Sequence, residues 1–221
     1  MRIALDGPSG AGKSTVAKAL AKRLGIIYVD TGALYRTIGL YVKRKGIDKE
    51  DKQGIISCLD EIDLNMEFKN SEQIITLNGE VVGDNIRTGE IAMYASKVSA
   101  IPEVRAFLLN TQRDIASKNS VVMDGRDIGT VILPDAEVKV FMIASPEARA
   151  ERRYKELIAK GESCTLESVL ADINLRDKND STRQTAPCVP ADDAVIFDNS
   201  EYDIEGSVDK VIEIINSKVN L

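Results

Sequence analysis

A glycine-rich loop between a short apolar run and a helical pattern is the feature that most constrains the fold of this 221-residue chain. Residues 7–14, Gly-Pro-Ser-Gly-Ala-Gly-Lys-Ser, follow the apolar run Ile3–Leu5 and fit the pattern G-x-x-x-x-G-K-[ST]. Glycines let the backbone turn tightly around an anion, and the N–H groups that open the helix point toward it. The loop therefore predicts a nucleoside triphosphate site, with Lys13 on the β- and γ-phosphates and Ser14 holding Mg²⁺.

Short runs that are apolar at almost every position, rather than at alternate positions, predict strands buried on both faces of a parallel sheet. These runs are residues 3–5, 26–29, 121–123, 138–143 and 194–197. Between them, apolar residues recur at helical spacing, and Gly25 is placed to end the first helix. The alternation predicts an α/β fold: a doubly wound, parallel five-stranded sheet of the P-loop nucleoside-triphosphate-hydrolase type.

Two stretches interrupt this alternation. Within residues 60–85, the turn sequence Asn78-Gly79 between apolar runs predicts a small antiparallel β insertion, because Asn-Gly suits a two-residue hairpin turn. Residues 146–190 are rich in charge and carry a narrow helical apolar stripe. We interpret this second stretch as a mobile helical lid.

Composition excludes several classes of function. The chain has no histidine, which rules out a Ser-His-Asp hydrolase and a His-ligated zinc site. Its net charge of −6 disfavours a general nucleic-acid partner. Asp6 interrupts the first apolar run, and the longest such run, Val140–Ala144, is far too short to cross a membrane. Together with three cysteines in no paired motif, this predicts a cytoplasmic protein without a membrane partner.

The positions of several arginines indicate what kind of acceptor the protein would phosphorylate. A nucleoside monophosphate needs cations to offset the repulsion between two phosphates, and arginine supplies them with a forked geometry. Arg36 and Arg126 follow predicted strands, where ligands bind in open α/β sheets. Arg176, Asp180 and Arg183 share one face if their segment is helical. A small-molecule kinase fits best, although a kinase for a small-molecule hydroxyl and a nucleotide-dependent switch remain open.

Five strings carry a resemblance to a known family. They are residues 7–15 (GPSGAGKST), 30–36 (DTGALYR), 89–96 (GEIAMYAS), 124–131 (DGRDIGTV) and the segment from Arg176-Asp177 to Ala186-Pro187. With them, the chain resembles the bacterial cytidylate kinases, which are P-loop nucleoside monophosphate kinases, over essentially its whole length. The resemblance implies transfer of the γ-phosphoryl group of ATP, with Mg²⁺, to CMP or dCMP in a monomeric protein.

The resemblance also implies roles for individual residues. The ATP-binding residues would be Gly7, Pro8, Ser9, Gly10, Ala11, Gly12, Lys13, Ser14 and Thr15. The CMP-binding residues would be Thr31, Arg36, Ser96, Arg105, Asp124, Arg126, Asp127, Arg176, Asp180 and Arg183. Of the positively charged residues, Lys13, Arg126, Arg176 and Arg183 would be catalytic.

The resemblance also implies which part of CMP each of these residues would bind. Thr31, where other members often have serine, and Arg36 would bind the phosphate. Ser96, Arg105 and Asp127 would read cytosine, whose amine donor and ring acceptors match a carboxylate and a guanidinium.

The remaining assignments concern the phosphates and the sugar. Arg126 would bridge the two phosphate chains, with Asp124 near the phosphates or Mg²⁺. Arg176 and Asp180 would bind the sugar hydroxyls, and Arg183 would stabilise the transferring charge.

The resemblance further implies one kinase domain with three regions. The core would comprise residues 1–30, 116–146 and 191–221, the CMP-binding region residues 31–115, and the lid residues 147–190. We interpret Arg152 and Arg153 as part of a surface helix with Glu151 and Glu156, rather than as lid ligands.

Overall fold

The computed structural model describes residues 1–159 and 161–219. Within these residues the strands and α-helices follow in the order β1 (Arg2–Asp6), α1 (Lys13–Leu24), β2 (Ile27–Asp30), α2 (Thr31–Arg44), α3 (Lys52–Ser57), β3 (Leu64–Lys69), β4 (Glu72–Leu77), β5 (Glu80–Val81), α4 (Gly89–Val98), α5 (Pro102–Lys118), β6 (Val121–Asp124), β7 (Val138–Ile143), α6 (Pro146–Ala159), α7 (Leu166–Thr182), β8 (Val195–Asp198) and α8 (Ile204–Val219). None of the helices in the described part of the chain combines the length and the apolar character needed to cross a bilayer.

The strands form two sheets. The larger sheet has five strands in the order β2-β6-β1-β7-β8, and the smaller has three in the order β3-β4-β5. In the larger sheet β1 pairs in parallel with β7, Ile3 opposite Val138, and β7 pairs in parallel with β8, Val140 opposite Val195. The predicted α/β architecture with a five-stranded sheet and an antiparallel insertion is confirmed.

Burial explains why the apolar runs become central strands. Ile3, Leu5 and Met142 have no exposed surface, and all four residues of β6 are buried. Each such side chain removes apolar surface from water, a gain of about 1.5–3 kcal/mol per large residue. Four strands end on an aspartate rather than before it: Asp6, Asp30, Asp124 and Asp198.

The chain divides into two compact units, residues 1–25 with 122–221 and residues 26–121. The first unit holds the glycine-rich loop, and helices α1 and α8 pack together in it. Helix α1 ends as predicted, because Gly25 adopts a left-handed conformation that returns its N–H to the carbonyls of Ala21 and Lys22.

The second unit contains the antiparallel sheet. Leu77 pairs with Glu80 across the turn, and Asn78 and Gly79 have φ angles of 49° and 81°. Positive φ at both central residues is what a type I′ hairpin turn requires, so the hairpin prediction is confirmed. Strand β3 extends this sheet, with Leu64 opposite Leu77.

The charged stretch after β7 is helical, as predicted. Helices α6 and α7 pack around the buried residues Ala150, Val169 and Ile173. Thr165 caps α7 by accepting a hydrogen bond from Ser168 N at 3.1 Å. Helix α7 ends at Thr182, so Arg176 and Asp180 lie one turn apart on it while Arg183 lies just beyond its end.

Candidate active site

The loop between β1 and α1 needs glycine at its first position for a steric reason. A Cβ on Gly7 would lie 2.0 Å from the carbonyl oxygen of Met142, and Gly7 has a φ of 143°. At the other end of the loop, Gly12 has a φ of 82° and precedes α1 without any side-chain cap. Because glycine has no side chain with which to cap the helix, Gly12 leaves the first N–H groups of α1 to other acceptors, which is the arrangement that suits a phosphate.

Lys13 lies buried in this loop, and its Nζ donates to the carbonyl of Pro8 at 2.7 Å. Burial, followed by the charge of Arg126, lowers the pKa of Lys13 to about 7, while Asp124 opposes the shift. The ammonium is thus held among other charges with little water, and an incoming phosphate would favour its charged form. This is the behaviour expected of a phosphate-binding lysine.

Ser14, the predicted ligand of Mg²⁺, lies beside Asp124, which is predicted to lie near the phosphates or Mg²⁺. Ser14 Oγ donates to Asp124 Oδ2 at 2.7 Å, which brings a hydroxyl and a carboxylate oxygen together at the start of α1. Oxygen atoms are the ligands that Mg²⁺ prefers, and in kinase sites one or two carboxylates suffice beside the phosphates. The two residues therefore fit the metal that the resemblance implies.

Two residues outside the predicted set hold the glycine-rich loop in place. Arg149, from α6, is 3% exposed and donates to the carbonyl of Ser9 at 3.0 Å. Asn199, just after β8, donates from Nδ2 to the carbonyl of Ala11 at 2.8 Å. These bonds fix two carbonyls of the loop, so its N–H groups are held in a defined orientation.

Arg149 also reaches the helix that carries Arg176 and Asp180. Its Nη2 donates to Asp177 Oδ2 at 2.6 Å, and its Nε donates to the carbonyl of Ala144 at 2.9 Å. Its neighbour Arg153 forms the predicted surface pair with Glu156 at 3.1 Å. For Arg152 the surface interpretation is wrong, because this side chain donates to main-chain carbonyls after β8, that of Asn199 at 2.9 Å and that of Ser200 at 3.2 Å.

The structure brings together five of the predicted charged residues. Arg126 Nε donates to Asp180 Oδ2 at 3.0 Å. Arg183 Nη1 lies 3.8 Å from Asp180 Oδ1, and Arg183 Nη2 lies 3.8 Å from Asp127 Oδ1. Arg183 Nε donates to the carbonyl of Ala186 at 2.7 Å. Burial and then the nearby Arg126 lower the pKa of Arg176. The carboxylates between these guanidiniums offset part of their repulsion and hold them in place for an anion.

Asp6 anchors the segment that contains Arg126 and Asp127. Its carboxylate accepts hydrogen bonds from Ile128 N at 2.8 Å and from Gly129 N at 2.7 Å. Burial is the main cause that raises its pKa to about 6, and the two backbone bonds oppose that shift. Because Asp6 directly precedes the glycine-rich loop, one side chain links the starts of two predicted ligand-binding segments.

In the second unit, the predicted phosphate residues lie where β2 passes into α2. Asp30 caps the helix by accepting from Ala33 N at 2.9 Å, and its other carboxylate oxygen accepts from Arg36 Nη2 at 2.7 Å. Thr31 is buried as the first residue of α2. Arg36 Nε is buried without a hydrogen-bond partner among the described residues, so the guanidinium retains a donor for a ligand.

Arg105 is the buried cation among the predicted cytosine-reading residues. It is 8% exposed, donates to the carbonyl of Ser99 at 3.0 Å and lies with its guanidinium 5.4 Å from the ring centroid of Tyr35. Ser99 follows α4, the helix that carries the half-buried Ser96. The structure thus ties Arg105 to the end of the helix that carries Ser96, while Asp127 belongs to the first unit.

These features define a class. A parallel sheet, a glycine-rich phosphate loop after its first strand, a lysine buried in that loop and an arginine-rich helical segment together describe a P-loop kinase. The fold is that of a solved shikimate kinase from Bacteroides thetaiotaomicron, with a TM-score of 0.51, 18% identity and 98% of each chain covered.

Sequence comparison narrows the class to one family. The cytidylate kinase family model matches residues 3–217. Curated cytidylate kinases include one from Thermosipho melanesiensis, 49% identical over 100% of this chain and 99% of the relative. Another, from Clostridioides difficile, is 46% identical over 99% of this chain and 98% of the relative. The chain belongs to the cytidylate kinase family, and it is a nucleoside monophosphate kinase.

Proposed function

We propose that this protein transfers the γ-phosphoryl group of ATP to CMP or dCMP, giving ADP and CDP or dCDP. The observation that carries the proposal is the family match over residues 3–217. The charged residues around the two phosphate-binding loops support it, because they supply cations to each phosphate. The reaction produces a nucleoside diphosphate for pyrimidine nucleotide metabolism.

The chain's own contribution to the chemistry is alignment and charge. Lys13 and Arg126 lie in one low-dielectric cluster, where a positive charge stabilises developing negative charge more strongly than in water. Arg126 bridges the two phosphate chains, and Arg183 neutralises charge on the group in transfer. The acceptor phosphate is already largely deprotonated near neutral pH, so the reaction needs neither a dedicated base nor a covalent intermediate.

The acceptor is recognised by side chains with different tasks. Thr31 and Arg36 bind its phosphate, and the buried Nε of Arg36 is a donor suited to a phosphate oxygen. Ser96, Arg105 and Asp127 read the cytosine edge. In the remaining contacts, Arg176 and Asp180 bind the sugar hydroxyls.

The donor site is formed by residues 7–15. Their main-chain N–H groups bind the ATP phosphates. Ser14 and Asp124 hold Mg²⁺, which when bound supplies positive charge to the ATP phosphates. Helices α6 and α7, which supply most of the lid region 147–190, exclude water from the donor site when ATP is bound.

Residues 1–30, 116–146 and 191–221 serve as the core, and residues 31–115 as the acceptor region. The protein acts as a monomer in the cytoplasm, without a nucleic-acid or membrane partner.

The experiment is a measurement of ADP formation from Mg-ATP with CMP, dCMP, UMP, AMP, GMP or no acceptor. We expect fast turnover with CMP and dCMP, slower turnover with UMP and none with the purines. Turnover with none of these acceptors contradicts the proposal. It would direct attention to hydroxyl acceptors or, if ATP is hydrolysed slowly without any acceptor, to a switch.

A further inference from the structure

The inserted antiparallel sheet contacts the acceptor-phosphate loop through one side chain. Gln73, in β4, accepts a hydrogen bond from Asp30 N through Oε1 at 2.8 Å. It also donates from Nε2 to the carbonyl of Asp30 at 3.2 Å. The amide oxygen and the amide nitrogen of Gln73 therefore bind the main-chain N–H and C=O of the same residue. A neighbouring strand would make the same pair of hydrogen bonds at the end of β2.

Asp30 passes this constraint to Arg36. Its side chain is 14% exposed, and it holds Ala33 N through one oxygen and Arg36 Nη2 through the other. A Cβ placed on Gly32 would lie 3.0 Å from Arg36 Nη1, which shows how closely the guanidinium packs on the main chain of the loop. A displacement of the Asp30 main chain therefore displaces the guanidinium of Arg36.

We propose that Gln73 is a positioning residue for the acceptor phosphate: its amide fixes the main chain of Asp30 and, through the Asp30–Arg36 pair, the orientation of the guanidinium that binds the phosphate. The inference rests on the proposed function, since it concerns the phosphate of CMP. A guanidinium binds phosphate in a directional, forked geometry, so a small rotation weakens the contact. The inserted sheet thereby gains a role in substrate binding.

A purely structural role for Gln73 predicts a different outcome. If Gln73 only fastened the insertion to the rest of its unit, its loss would lower the melting temperature and change both substrates' KM values alike. A positioning role instead raises KM for CMP and leaves KM for ATP unchanged, because the hydrogen bonds of Gln73 are made to Asp30 in the acceptor loop.

The test compares Gln73→Met with Glu72→Gln. Methionine keeps the length of the side chain and removes both hydrogen bonds, whereas Glu72 is an exposed neighbour on β4. We expect Gln73→Met to raise KM for CMP about fivefold to tenfold, because the less constrained guanidinium of Arg36 must be ordered when the phosphate binds, with KM for ATP within about twofold of wild type. Glu72→Gln keeps wild-type values. An unchanged KM for CMP, or equal rises for CMP and ATP, overturns the inference.

A double-mutant cycle with Arg36→Lys shows whether Gln73 acts through Arg36. We expect Arg36→Lys to raise KM for CMP, and Gln73→Met to add little in that background, because the oriented guanidinium is already lost. Fully additive effects overturn the inference. If Gln73→Met does not fold, Gln73→Glu replaces it in both experiments. That variant keeps an acceptor for Asp30 N and loses the donor, so a wild-type KM for CMP would again overturn the inference.

The wild-type control separates this inference from the proposed function. Absence of CMP phosphorylation by the wild-type protein would remove the proposed function itself. Normal CMP turnover with a wild-type KM in Gln73→Met would remove only the role of Gln73.

Discussion

The donor loop between β1 and α1 and the acceptor loop between β2 and α2 are both turns from a strand into a helix, yet they present opposite surfaces to a phosphate. At the donor loop, helix α1 starts after Gly12 without a side-chain cap, so the main-chain N–H groups are available. At the acceptor loop, Asp30 caps α2 and occupies that position with a carboxylate. We therefore expect a phosphate there to be bound by side chains, and we propose Arg36 for this role.

This difference matters for selectivity. Main-chain N–H groups bind any phosphate chain of suitable shape, and their geometry depends on how the loop backbone is held. Side chains bind in the arrangement their neighbours impose, so the acceptor loop depends on Asp30 and Gln73. We therefore expect ATP binding to depend on the groups that hold the backbone of the donor loop. We expect CMP binding to depend on the groups that orient the guanidinium of Arg36.

The largest expected effect is at Lys13, the one side chain of the donor loop that contributes a full positive charge. We expect Lys13→Ala to lower kcat about a thousandfold while the protein remains folded, because a buried charge opposite the developing negative charge is lost. Steady-state kinetics and a melting curve measure the two effects. Lys18→Ala, on the exposed face of the same helix, serves as the control. Wild-type turnover in Lys13→Ala would remove Lys13 from the mechanism.

A smaller effect is expected at Arg149, which donates hydrogen bonds to the Ser9 carbonyl of the donor loop, to the carbonyl of Ala144 and to Asp177. Arg149→Met should raise KM for ATP about tenfold, more than it raises KM for CMP, since the Ser9 carbonyl loses its anchor. Lys155→Met, at an exposed position of the same helix, should have no effect. Equal rises in both KM values would show that Arg149 supports the whole fold rather than the donor loop.

The smallest expected effect is the uptake of a proton by Lys13 when ATP binds. Because the pKa of Lys13 is about 7, the side chain is mostly neutral at pH 8, and bound phosphate restores its charge. ATP binding should take up close to one proton at pH 8 and much less at pH 6, and ATP affinity should fall as pH rises above 7. Calorimetric titrations in two buffers of different ionisation enthalpy measure the uptake. Lys13→Met provides the baseline for protons that ATP itself exchanges, and identical uptake in that variant would contradict the assignment.

The sequence alone predicts the structural elements that depend on local signals. The apolar runs, Gly25 and the turn Asn78-Gly79 predicted strands, a helix end and a hairpin that the structure contains. In these cases the determining residues are neighbours in sequence, and their backbone preferences act without help from distant parts of the chain.

The residues that sequence reasoning missed depend on partners far along the chain. Arg149 binds Ser9, 140 positions away, and Asp6 binds Ile128 and Gly129, more than 120 positions away. Gln73 binds Asp30 across 43 positions. An arginine on a polar helix and a glutamine on a surface strand carry no local mark of such contacts. A signal for Asp6 did exist, since it ends an apolar strand directly before the glycine-rich loop.

The strand-terminal aspartates have a consequence for anyone who redesigns this chain. Three of them have quite different tasks: Asp6 anchors a distant backbone segment, Asp30 caps a helix and orients an arginine, and Asp124 accepts a hydrogen bond from Ser14. Within the part of the chain that the structure describes, Asp198, at the end of the last strand, accepts hydrogen bonds from its near neighbour Ser200 alone, at 2.9 and 2.6 Å.

Equivalent positions in a repeated strand–helix pattern are thus not interchangeable. A substitution rule averaged over all four aspartates would misjudge each of them. Tolerance to change at the end of a strand is set by what the carboxylate reaches, so a design method must treat every strand end as a separate problem.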